Sequence, residues 1–168
     1  MQNLTEKQLL FRIRAVLIFF IAALVLSGLT AFPLRWELWA LDRCLGYDTL
    51  FGDTFPRIAG WLEYINDGLI HNGRYYPFMA YGTDWLAFSH IVIAIAFIGP
   101  LRDPVRNVWV LQFGMIACAL VFPLAVTCGY FRGIPLLWQG IDCSFGFFGF
   151  FPLWFAYRWT RILESLPH

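Results

Sequence analysis

Apolar runs with no charged residue at their centres, separated by more polar stretches, set the pattern of this chain. The first run, Ala15 to Phe32, carries no charge and approaches the roughly 20 residues needed to cross the hydrocarbon core of a bilayer. The second extends from Trp85 to Leu101, the third from Val108 to about Cys128, and the fourth from Ile141 to about Tyr157. Pro123 should kink the third. Only the polar stretch Arg102 to Asn107 separates the second and third runs, which predicts an antiparallel hairpin. The pattern predicts an all-α fold: a polytopic membrane four-helix bundle forming one domain over 1–168, with spans at about 15–32, 85–101, 108–128 and 141–157. The first run lacks the paired small residues of a cleavage site and reads as an uncleaved signal anchor.

The segment between the first two runs, 33–83, has a different period. Ile58, Trp61, Leu62, Ile65 and Leu69 recur at helical spacing, with Arg57, Glu63, Asn66 and Asp67 largely on the other side of the wheel. Leu34, Leu38, Leu41 and Leu45 make a similar stripe in Pro33 to Gly46. Two short amphipathic helices capping the bundle at the membrane surface fit this pattern. His71 to Arg74 reads as a loop, and Tyr75, Tyr76, Tyr81 and Trp85 as an interfacial aromatic belt.

Positive charge orients the spans. Lys7, Arg12, Arg14, Arg102, Arg106, Arg158 and Arg161 collect on one side in short flanks; Arg35, Arg43, Arg57, Arg74 and Arg132 are spread through longer segments on the other. The denser side is expected to be cytoplasmic, so both termini lie inside and the 33–83 cap outside. Composition agrees with a membrane setting. Apolar residues make up 60% of the chain and charged residues 14%, more apolar surface than a soluble domain of 168 residues has interior to hide. A formal net charge of +1 with no basic tract excludes a generally basic nucleic-acid binder.

Ionisable groups at membrane depth are costly, and so mark candidate sites. His90 lies about six residues, roughly 9 Å by helical rise, below the start of the second span. Counting from the opposite end, Cys118 on the third span should reach a similar depth. With Ser89 beside it, His90 suits a proton carrier, a general base or one haem or metal ligand; a buried, hydrogen-bonded structural imidazole is the competing reading. No second intramembrane histidine offers a matching axial ligand, so no cofactor and no metal are expected. Asp84 and Asp142 are expected at the outer starts of the second and fourth spans, either as helix caps or as two carboxylates at the mouth of a pocket, below Glu37, Asp42 or Arg35. The candidate ligand-binding set is therefore Asp84, Trp85, His90, Cys118, Asp142 and Ser144, with His90, Asp84 and Asp142 as the candidate catalytic groups.

The remaining polar features have plainer readings. Asp103 is expected to cap the third span and Gln112 to join helices by a hydrogen bond. The cysteines contain no C-x-x-C pair. Cys128 and Cys143 fall at the outer ends of neighbouring spans and are a candidate disulfide in an oxidising compartment; free buried thiols are the alternative.

Through Ala80 to His90, Ile98 to Asn107 and Gly140 to Gly146, the chain resembles a family of small bacterial integral membrane proteins of the Bacteroidetes type along nearly its whole length. That likeness implies a multi-pass protein of the bacterial inner membrane and carries no activity. A fainter likeness, of architecture alone, is to the sterol-isomerase and sigma-2-receptor superfamily, four-helix membrane domains whose acidic residues face an intramembrane ligand cavity. Asp84 and His90 are the nearest analogues. Three functions compete: binding of an apolar or lipid-like ligand, or docking on a membrane complex or a second copy; a small lipid-modifying isomerase or hydrolase using His90 and Asp84; and an ion or proton conductor. The expected partners are membrane lipids, an apolar small molecule or a membrane protein, and no nucleic acid.

Overall fold

The computed structural model describes residues 5–166, with Leu34 described by its backbone alone. Every regular element among these residues is helical. In order they are α1 (Glu6–Ala31), α2 (Leu34–Leu45), α3 (Leu50–Thr54), α4 (Pro56–Tyr75), a 3₁₀ turn (Pro77–Ala80), α5 (Tyr81–Ala96), α6 (Ile98–Arg102), α7 (Val108–Phe131) and α8 (Leu136–Glu164). Three stretches are long and apolar enough to cross a membrane: Glu6–Ala31, Pro77–Arg102 and Val108–Phe131. Within each, the most apolar window is at most 22% buried, the reverse of a soluble core. Their outward faces need an apolar solvent. α8 is longer, at 29 residues, but Asp142, Ser144 and its glycines dilute its hydropathy, and it does not join that set.

The chain forms two compact units, Met1–Ala23 with Ile93–His168, and Leu24–Val92. In the first, α1 buries Leu9, Ile13 and Leu17 completely, one face of a helix read every four residues. Phe97 is equally buried, its ring 4.8 Å from that of Phe20. α7 and α8 run antiparallel at close range. Gly146 faces the Cys118 carbonyl, Gly149 the Cys118 thiol, and Gly114 both Leu153 and Phe97. Small residues at these positions let the two backbones approach.

Backbone chemistry explains where these helices stop. Pro100 has no N–H to bond the Ala96 carbonyl, so the second apolar stretch breaks into α5 and α6 at Phe97. α7 ends in a Schellman motif: Ile134 N donates to Gly129 O at 2.9 Å, and Gly133 N to Tyr130 O at 3.3 Å. The motif needs a left-handed residue, and Gly133 supplies it at φ 66°. Pro135 then starts α8, a turn and a half before the expected Ile141. Asp142 consequently lies within the helix and is not its cap. Asp103 does not cap α7 either; its carboxylate accepts from Arg106 N, while Asn107 Nδ2 reaches back to the carbonyls of Asp103 and Gly99.

In the Leu24–Val92 unit, α4 buries Ala59 and Leu62 and half-buries Ile58, Trp61, Ile65 and Leu69, as its stripe predicts. α2 buries Leu38 but exposes Leu41. His71 to Arg74 is not a loop: α4 continues to Tyr75, and Pro77 stops it by forcing Tyr76 out of helical conformation. Gly28 of α1 packs against α5, where a Cβ would meet the Ala87 carbonyl at 2.8 Å.

Candidate functional site

The Leu24–Val92 unit holds a cavity of about 740 Å³ where the end of α1, α2, α4, the 3₁₀ turn and the start of α5 meet. This volume is in the range of small-molecule pockets. Its apolar wall includes Phe32, Trp36, Trp39, Leu69, Ile70 and Met79. Trp36 meets Trp39 edge-on, centroids 6.1 Å apart. The polar lining is Arg35, Asn66, Asn72, Thr83 and Asp84.

Only Thr83 uses its side-chain hydrogen-bonding capacity within the protein, donating to Ala80 O at 2.6 Å. Arg35, Asn66, Asn72 and Asp84 make no side-chain hydrogen bond to other described residues. No ion pair within 4.0 Å joins Arg35 to Asp84. The Arg35 guanidinium lies over Gly73, 3.7 Å from where a Cβ would stand. A second cation, Arg43, covers the Trp39 ring at 4.5 Å. The cavity thus combines an indole-rich wall with opposite charges not spent on each other.

The expected residues divide between the units. Asp84 lines the cavity from the first turn of α5. Trp85, the next residue, joins an exposed edge-to-face run with Tyr81 and Phe88, at 6.0 Å to each. His90 does not line the cavity. Its Nδ1 lies 2.8 Å from the Leu86 carbonyl of its own helix, and since a carbonyl only accepts, that nitrogen carries the proton. Ser89 likewise turns to its own helix, donating to Trp85 O.

Cys118, Asp142, Ser144, Cys128 and Cys143 belong to the other unit. Cys118 is buried at the α7–α8 contact, and all four cysteines are free thiols. Asp142 is exposed, and Ser144 Oγ donates to Ile141 O. Among the described residues, no group of three or more His, Cys, Asp or Glu side chains could hold a metal ion.

Sequence reasoning noted Arg35 above the pocket but gave no role to Trp36, Trp39 or Asn72. Trp36 and Trp39 sit a turn apart on α2 and Asn72 far along the chain on α4, so only the fold unites them. Gln139 was also missed: it is nearly buried against Gly129, donating to Ile134 O at 2.8 Å.

These features define an all-helical membrane-protein class with one amphiphilic cavity described in the Leu24–Val92 unit. No known protein family, curated protein or solved structure matches the chain.

Proposed function

We propose that the protein crosses the bilayer four times and holds a lipid-like amphiphile in the Leu24–Val92 cavity. The observation carrying the binding reading is the cavity itself: an indole and aliphatic wall beside Arg35, Asn66, Asn72 and Asp84, whose side chains have no hydrogen-bond partner among the described residues, at the start of the apolar stretch Pro77–Arg102. A bilayer lipid has the same division between apolar chains and a polar head.

Two observations support α8 as the fourth crossing. Its 29 residues span about 43 Å by helical rise, against roughly 30 Å of hydrocarbon. It also presents Phe145, Phe147, Phe148, Phe151 and Phe155 outward. Further support comes from Arg12, which lies over the Trp159 ring at 5.9 Å, bringing the start of α1 beside the end of α8. Ends on the same side require an even number of crossings. The charge bias favours the cytoplasm of a bacterial inner membrane for that side.

Purification in mild detergent followed by native mass spectrometry tests the binding reading. The expected result is a bound amphiphile at one per chain, largely lost from Trp36→Ala at unchanged helical content. A protein that carries no amphiphile, or carries it equally after that substitution, refutes the proposal.

A further inference from the structure

We infer that the cavity selects a zwitterionic phospholipid, with Arg35 taking the phosphate and Asp84 the ammonium; this rests on the lipid-binding reading above. Arg35 and Asp84 both line the cavity, yet are not within 4.0 Å of each other. Opposite charges sharing a cavity without an ion pair or a hydrogen-bonded partner fit a ligand whose own charges are separated. The lining's formal charge is zero, one arginine against one aspartate, so a zwitterion leaves neither uncompensated. An anionic headgroup would satisfy Arg35 but bring like charge to Asp84; a cationic amphiphile would do the reverse.

The guanidinium fork matches phosphate oxygens in pairs. An ammonium is held by a carboxylate and by an aromatic face. Trp39 already has Arg43 on its face. Trp36 has no such cation among the described residues and is 73% exposed, so its ring is the free one. Asn66 and Asn72 add amide donors and acceptors suited to glycerol and ester oxygens. The site also fits a lipid in position. Asp84 lies in the first turn of α5, and the exposed Trp85 and Phe88 continue down the apolar stretch where acyl chains would run.

The test loads delipidated protein with phosphatidylethanolamine, phosphatidylglycerol or soluble phosphoethanolamine and reads binding by native mass spectrometry. The wild type should prefer phosphatidylethanolamine over phosphatidylglycerol by about tenfold. Asp84→Asn should erase that preference without weakening phosphatidylglycerol binding, Asp84→Glu should restore it, and Arg35→Gln should weaken both lipids. Phosphatidylglycerol bound as well as phosphatidylethanolamine, but still lost on Trp36→Ala, overturns the headgroup inference and spares the lipid-binding reading. Retention of no lipid overturns both. Soluble phosphoethanolamine bound as tightly as the lipid overturns the assignment to a membrane lipid. An Asp84→Asn protein that folds, by its circular dichroism, and keeps the wild-type preference overturns the role of Asp84.

Discussion

Replacing Gly146 by alanine tests the α7–α8 contact with a single methyl group. A Cβ there would stand 2.5 Å from the Cys118 carbonyl oxygen, 3.2 Å from Val121 Cβ and 3.3 Å from Phe122 Cε2. Ordinary contact begins near 3.4 Å, so the nearest atom must retreat by 3.4 − 2.5, or about 0.9 Å. That atom belongs to the α7 backbone and cannot rotate away. Separating the helices also loosens Gly149 on the Cys118 thiol and Gly114 on Leu153. Overpacking of this kind costs about 1–3 kcal/mol. Alanine's better helix propensity returns about 0.5–1 kcal/mol, leaving a net loss of up to about 2.5 kcal/mol. Gly140→Ala is the control: it lies on the same helix with nothing within 4 Å of its added methyl, and should be neutral or slightly stabilising. Unfolding of both variants in dodecyl sulfate–maltoside mixed micelles, followed by circular dichroism, gives the comparison. Equal stability of Gly146→Ala and Gly140→Ala would refute a contact-distance glycine seam.

Two further substitutions and a labelling experiment probe other parts of the fold. Gly133→Ala should destabilise the α7–α8 turn by about 1–2 kcal/mol, because its backbone has φ 66° while space around it is open. Gly133→Asn should recover much of the loss in the same unfolding assay, and an alanine variant as stable as wild type would contradict the left-handed turn. A membrane-impermeant maleimide applied to spheroplasts should modify exposed Cys44 of α2 and spare buried Cys118. Modification of Cys44 only after permeabilisation would reverse the proposed orientation.

The spans were legible wherever uncharged runs were long, as in Ala15 to Phe32 and Val108 to Cys128, because lipid imposes both length and polarity on a crossing helix. Their ends were less legible. Gly73 looked like a loop residue, yet it is helical within α4, and Pro77 makes the stop. The start of α8 was hidden because Leu136 to Gln139 has no charge or cap motif; the Schellman hydrogen bonds of Gly133 and Ile134 appear only in three dimensions. Asp84 drew attention as a carboxylate beside an apolar run, and it does line the cavity. Trp36 and Asn72 share that cavity from distant segments, where local pattern has no reach.

The close α7–α8 seam also bears on how the protein enters its membrane. In the proposed topology α8 is the least apolar crossing, carrying Asp142 and Ser144, and would partition poorly as a solitary segment. α7 is strongly apolar and joined to it by a turn of a few residues. Because Gly146 and Gly149 let α8 lie directly on α7, the two can leave the insertion machinery as one hairpin, the first helix serving as solvent for the second. Biogenesis would then depend on the seam before the finished protein does, and a bulky residue at Gly146 should reduce how much protein reaches the membrane.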